Sequence, residues 1–324
     1  MKNLIRSLLT FLLLAAYCLL LLLMCACSPS FSEDAFAQCP SVDDAPSLLS
    51  INELLFNPLG DGVDYVELVN VSSDTLEMSR FRIANRNSKA EVANVKTLSS
   101  KRLPPGAYVL LCSDTAWLAR HYYLPDSANV LLVKALPSFA NASGCVVLLD
   151  AQAAIVDEFP YDEDYHHPLV SDAEALSLEK RHPCLSSVLS SSWTTAALDK
   201  GGGTPGYVNS QYRDGLMRPS ESLGFSLVSD AFCPQALSVA SQCLLSYRLD
   251  DSYIASIVVY DLQASPCATI ANNLLLGSVG CIAWSGCDDE GKVLFPGTYL
   301  LRVQAYALSG KNYSKTFVIS ILPP

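Results

Sequence analysis

The chain has 324 residues, room for two domains of ordinary size, each with its own core. Half of its residues (50%) are hydrophobic, 16% are charged, and the net charge is -11. That acidity argues against a nucleic-acid-binding face, which needs clustered Lys and Arg, and names no partner by itself, since negative charge mostly keeps a protein soluble.

Residues 1–27 read as a targeting segment, with Lys2 and Arg6 ahead of an almost wholly apolar run from Leu8 to Met24. Leu23-Met24-Cys25-Ala26-Cys27 is similar to a lipobox, which makes Cys27 the candidate lipidation site. Cleavage after Ala35-Phe36-Ala37, leaving Gln38 first, is a second reading. An uncleaved membrane anchor is a third, because the apolar run is nearly long enough to span a bilayer. All three export the chain and attach or release it at the cell envelope; the lipid-anchored form places it at the outer membrane or cell surface. Nine cysteines follow Cys27 (Cys39, Cys112, Cys145, Cys184, Cys233, Cys243, Cys267, Cys281 and Cys287) and none stands in zinc spacing. Export therefore predicts one or two disulfides beside buried thiols, with connectivity open.

Residues 28–46, rich in Ser, Pro, Asp and Ala, read as a flexible tether. A first domain is expected over 47–212. It opens with a hairpin across Ile51–Asn70, turning at Asn57-Pro58-Leu59-Gly60-Asp61-Gly62. Leu76–Asn85 follows as a strand, and Leu103-Pro104-Pro105-Gly106 as a turn that launches Ala107–Cys112. Thr115–Tyr123 is the best local helix candidate. Asn129–Val133 is a strand, and Cys145–Leu149 with Ala154–Phe159 a second hairpin. Leu176–Lys180 is the last short strand before Trp193–Tyr207 closes the unit on a Gly-rich turn. After a linker at 213–222, the second domain, 223–324, carries strands at Leu237–Leu249, Ile254–Leu262, Cys281–Trp284, Gly297–Tyr306 and Tyr313–Leu322. Short strands between turn signals, with few helices, predict an all-β chain of sandwiches.

The first of these domains resembles the bacterial lamin-tail domain, an immunoglobulin-like β-sandwich, in the version found in exported proteins of Bacteroidetes-type bacteria. The resemblance rests on Ile51-Asn52-Glu53, Val66-Glu67-Leu68 and Asn70, then on Leu103-Pro104-Pro105-Gly106, Val156-Asp157-Glu158-Phe159 and Leu176-Ser177-Leu178-Glu179-Lys180. It ends in Ser192-Trp193 and Gly203-Thr204-Pro205-Gly206-Tyr207-Val208-Asn209-Ser210. The second domain resembles the Ig-like domain of the flagellar hook-cap protein FlgD. Here the residues are Tyr247, Val258-Val259-Tyr260-Asp261, Trp284-Ser285-Gly286, Asp288-Asp289-Glu290-Gly291 and Pro296-Gly297-Thr298-Tyr299. Together they imply two Ig-like sandwiches in tandem. Asn52, Asn70, Trp193, Gly206, Trp284, Gly286, Gly291, Gly297 and Tyr299 are their structural motif positions. The acidic Gly-rich loop that often precedes the second kind of domain is replaced by Phe232-Cys233-Pro234, so no cation is expected there.

Chemistry is sparse. If the first hairpin is symmetric about Gly60, Glu53 and Glu67 lie opposite each other on one face, which is destabilising unless they are neutralised. Arg80, Arg82, Arg86 or backbone N–H groups would serve, and Ca²⁺ is the alternative. Asp162-Glu163-Asp164 with His166 and His167 is the one metal-like mixture, but adjacent histidines on extended backbone point apart, so a solvated loop is the simpler reading. With four histidines and no nucleophile elbow or phosphate loop, no catalytic constellation is found. The Gly201–Gly206 run reads as a tight turn, and Trp193 and Trp284 as core aromatics. The expectation is a non-enzymatic cell-envelope module for binding, adhesion or spacing. Its partner would be an envelope or surface protein or a glycan, met at exposed strand edges, with the membrane reached through the N-terminal lipid or anchor and no nucleic acid involved. Two alternatives stand beside it: a type IX secretion-like sorting role for the C-terminal half, and a hydrolase with its site in a sandwich loop.

Overall fold

A computed structural model describes residues 48–213, 223–235 and 241–324. The expected signal segment, Cys27, the tether and nearly all of the linker lie outside the described residues. The chain divides into two compact units between residues 218 and 219.

The first unit contains β1 (Leu49–Leu55), β2 (Tyr65–Asn70), β3 (Leu76–Glu77), β4 (Arg82–Arg86), β5 (Val92–Thr97), β6 (Arg102–Leu103), β7 (Tyr108–Cys112), α1 (Thr115–His121), β8 (Val130–Leu132), β9 (Ser143–Leu149), β10 (Ile155–Asp162), β11 (Leu178–Lys180) and β12 (Trp193–Thr195). A six-stranded sheet in the order β12-β11-β1-β2-β7-β8 faces a four-stranded sheet in the order β10-β9-β4-β5, and β3 pairs with β6. Gly60, at φ 58°, turns the first hairpin. Cα partners run symmetrically about it from Leu55–Tyr65 to Glu53–Glu67, then slip by one and leave Asn52 as a bulge.

Alternation along β1 and β2 sends Leu54, Val66 and Leu68 into the core between the sheets, beside Ile83, Val146, Phe159 and Trp193. The opposite residues are no more exposed: every position of β1 and β2 is buried. One part of that outer face lies under α1, where Leu118 and Tyr122 pack on Leu55, Tyr65, Leu110 and Cys112. The other part lies under residues 196–213, which cross the sheet as a strap. Asp114 starts α1 by accepting the backbone N–H groups of Ala116 and Trp117.

In the second unit, β13 (Gly224–Leu227), β15 (Cys243–Arg248) and β18 (Val279–Trp284) form a three-stranded sheet. β14 (Ala231–Phe232), β20 (Asn312–Ile321), β19 (Gly297–Ala307), β16 (Tyr253–Tyr260) and β17 (Pro266–Leu276) form a five-stranded one in that order. Its core gathers Phe225, Leu245, Tyr247, Ile257, Val259, Trp284, Leu301, Val303 and Ile319. Both units are two-sheet sandwiches, so the all-β reading holds.

Three departures from the sequence reading have physical causes. Leu76–Asn85 is not one strand, because Met78–Arg80 winds a 3-10 turn that buries Met78 while the Glu77 carboxylate accepts the Ser79 N–H. β5 and β17 are unforeseen edge strands, each interrupted by an asparagine in the left-handed region, Asn94 and Asn273, both at φ 53°. The two histidines are buried while the acids before them stay in solvent, as described below. Of the cysteines, Cys184 is disulfide-bonded, and Cys112, Cys145, Cys233, Cys243, Cys267, Cys281 and Cys287 are in no disulfide.

Candidate functional site

The unusual chemistry sits on the outer face of the six-stranded sheet, under the strap. Glu53 on β1 has Glu67 of β2 as its Cα partner on one side and Glu179 of β11 on the other. All three carboxyls are 0% exposed. Glu53 Oε1 accepts from Tyr65 Oη at 2.7 Å, Ser177 Oγ at 2.5 Å and the Thr204 N–H at 2.8 Å. Glu67 accepts from Asn52 Nδ2 at 3.0 Å and the Gly206 N–H at 2.6 Å. Glu179 Oε2 accepts from Ser210 Oγ and the Gln211 N–H, both at 2.8 Å. Thr204 Oγ1 bridges Glu53 Oε2 at 3.2 Å and Glu179 Oε1 at 2.8 Å.

The opposition of Glu53 and Glu67 is as the symmetric hairpin predicts, but the arginines are not their partners. Arg86 pairs with Glu158 at 2.6 Å and Arg82 reaches the Asp150 carbonyl. Hydroxyl and amide donors surround the carboxyl oxygens instead, and they come largely from the strap. Burial, the largest cause, raises all three carboxyls above the ordinary glutamate range; the charge of Glu53 adds to the rise of Glu67 and of Glu179, which reaches about 8. A protonated carboxyl is a poor ligand for Ca²⁺, which takes ionised oxygens.

The strap is otherwise held by an asparagine pair. Asn52 Nδ2 donates to Asn209 Oδ1 at 2.7 Å, and Asn209 Nδ2 donates to the carbonyls of Asn52 and Lys180 at 2.9 and 2.8 Å. Gly206, at φ 90°, fits a position where a Cβ would lie 2.5 Å from Ala128 Cβ, so the Gly-rich run is indeed a tight turn.

On the inner face of the same strand, Lys180 points between the sheets. Its ammonium bonds Ser50 Oγ at 2.7 Å and Ser187 Oγ, and lies 3.8 Å from Asp157 Oδ2 on β10. Ser187 and the Ile51 N–H both donate to that oxygen at 2.7 Å. Burial lowers Lys180 to about 8, with Asp157 pulling the other way. This buried cluster ties the two sheets of the sandwich together.

His166 and His167 are 8% and 4% exposed, whereas Glu163 and Asp164 face solvent, so the metal-like mixture is pulled apart. Thr195 Oγ1 accepts the His167 N–H at 2.7 Å and lies 3.1 Å from His166 Nδ1. Burial lowers His166 to about 4. Among the described residues no group of three His, Cys, Asp or Glu is arranged to hold a metal ion.

The remaining motif positions are structural. Asn70 donates to the carbonyls of Asp74 and Leu103, closing the turn after β2. Trp193 stacks on Phe159 at 3.6 Å between ring centroids, and Trp284 meets Phe232 edge-on at 5.6 Å while donating to the Cys287 carbonyl. Gly286 turns at φ 81° against Pro234 and Phe232. Gly291, at φ 82°, closes the Asp288 turn. Gly297 opens β19, and Tyr299 Oη donates to the Phe295 carbonyl. Sequence reasoning missed Glu179, Thr204 and Asn209 as members of the cluster. A glutamate amid buried residues on a short strand was the available signal.

No protein-family model matches the chain, and no curated protein does. Solved structures do. FlgD from P. aeruginosa is similar at 22% identity with a TM-score of 0.23, over 31% of this chain and 78% of that one. Dimeric latent PorU from Porphyromonas gingivalis is similar at 8% identity and a TM-score of 0.24, over 88% of this chain and 21% of that one. PorZ, described as an essential surface component of the type IX secretion system of the same bacterium, is similar at 11% identity and 0.24, over 87% and 40%.

Proposed function

We propose that this is a non-enzymatic module of the cell envelope, working by binding or spacing. The carrying observation is that the chemistry-bearing groups Glu53, Glu67, Glu179 and Lys180 are all sealed at 0% exposure and spent on holding the first sandwich together. A catalytic acid or base has to reach its substrate. Screening the purified chain against nuclease, protease and esterase substrates tests this; turnover that survives repurification would reject it.

We infer that contact is made by side chains beside the strand edges and not by adding a strand to them. β5 and β17 carry the Asn94 and Asn273 bulges, with register shifts against β4 and β16. β10 contains Pro160, and Lys101 and Lys315 donate to the Val130 and Phe225 carbonyls of edge strands β8 and β13. Bulges, prolines and lysines are what edges carry when strand addition is to be prevented. The reading therefore favours the groove of about 580 Å³ that runs along Val95–Thr97 and Leu132–Ala135. There Val95 and Leu132 are exposed beside Lys96 and Lys134, a basic spot on an acidic chain that suits an acidic, partly apolar surface segment. Replacing both lysines by Glu should abolish envelope binding measured by co-sedimentation; unchanged binding would move the surface elsewhere.

The sorting reading remains for the second unit, on the resemblance of Pro296–Leu300 and Lys315–Val318 to type IX sorting domains. Deleting residues 237–324 and finding unchanged surface delivery would reject it. Mass spectrometry of the mature N-terminus decides between lipidated Cys27, Gln38 and an uncleaved anchor.

A further inference from the structure

Thr204 makes two contacts with one hydrogen. Its Oγ1 lies within hydrogen-bond distance of both Glu53 Oε2 and Glu179 Oε1, and a hydroxyl can donate once. Two ionised carboxylates would leave one of these contacts as oxygen facing oxygen. The second contact closes if one carboxyl carries a proton and gives it back to Thr204. The other oxygens of the pair offer no better place, because Glu53 Oε1 already accepts three donors and Glu179 Oε2 two.

We propose that Glu53 and Glu179 share one proton through Thr204, and that this proton latches the strap of residues 196–213 onto the sheet. Losing it leaves Glu53 and Glu179 both charged on adjacent strands in a buried site, each pointing at the strap. The strap's own donors (Thr204, the Gly206 N–H, Ser210 and the Gln211 N–H) are then all that oppose repulsion, and opening to water relieves it.

Besides burial, what bears most on the three carboxyls is one another and neutral donors. The ionisable side chains that feel the cluster's charge are the acids Tyr65 on β2, Tyr108 on β7, Tyr122 after α1 and Tyr207 on the strap. Lys180, next to Glu179, points through the sheet to Asp157. Lys200 on the strap lies 3.8 Å from Asp199. The sign follows from linkage. The folded carboxyls bind protons above the range in which unfolded glutamates release them, so strap stability falls as pH climbs from about 4.5 through about 8.

Hydrogen exchange by mass spectrometry on the full chain reads this directly. After correction for the intrinsic pH dependence of exchange, protection of peptides spanning Thr204–Gln211 should fall by about tenfold or more between pH 5.5 and 9. Peptides from β16 should hold their protection. Glu179→Gln, which cannot ionise and can still donate to Thr204, should flatten the profile. Should that variant fail to fold, ¹³C NMR of wild type labelled at the glutamate carboxyl carbons tests the proton itself, with at least one resonance at the protonated position at pH 7. All glutamates ionised at pH 7, or equal pH slopes for the strap and β16, would overturn the proposal. It stands or falls apart from the binding reading, which none of these measurements touches.

Discussion

Asn209 holds the strap with one amide. It donates to two buried carbonyls, Asn52 and Lys180, and accepts from Asn52, so truncation leaves several buried polar groups unpaired at once. Asn209→Ala should therefore cost about 2–4 kcal/mol, at roughly 1–3 kcal/mol per orphaned group, read from the denaturation midpoint of the first unit. A loss well under 1 kcal/mol would show that the strap contributes little. Lys180 makes a second residue-scale test. Lys180→Ala strands a buried carboxylate at Asp157 and should cost about 3–5 kcal/mol; removing both charges with Lys180→Met and Asp157→Leu should recover much of it, because a buried ion pair is poorer than good apolar packing. The Glu53–Glu67 opposition was legible in the sequence because a turn centred on Gly60 fixes which positions face each other. Glu179 and Asn209 were not. Which strand flanks β1 on its other side, and which distant segment crosses above it, is decided by packing rather than by any local period.

At the level of elements, the hairpins β1–β2 and β9–β10 and the helix α1 were readable from turn residues and apolar runs. The edge strands β5 and β17 were not, for the reason that makes them safe edges: Asn94 and Asn273 break the alternation that would announce a strand. The same asparagines carry a prediction. A β-branched side chain pays about 1–2 kcal/mol to sit in the left-handed region. Asn94→Val should destabilise the first unit by about that amount, whereas Asn94→Gly should be close to neutral. Equal effects in thermal melts would mean that the residue's side-chain bond to Asn85, and not its backbone, is what matters. The histidine loop taught the opposite lesson. Composition suggested solvent, whereas both histidines are buried and Thr195 Oγ1 meets the His166 ring and the His167 N–H.

For the whole molecule, each unit has its own pair of sheets and its own hydrophobic cluster, so neither depends on the other for a core. Domains built this way melt as separate cooperative units. Calorimetry of the full chain should resolve two transitions. Among the described residues, the carboxyls that burial raises lie in the first unit, which gives the two transitions different pH behaviour. As pH rises from 6 to 9 the first should move down relative to the second, by several degrees if a group with a folded value near 8 is at work. Glu179→Gln should reduce that separation without moving the second transition. Two transitions that shift together, with the variant behaving as wild type, would mean that the pH response lies on the surface of both sandwiches and not beneath the strap.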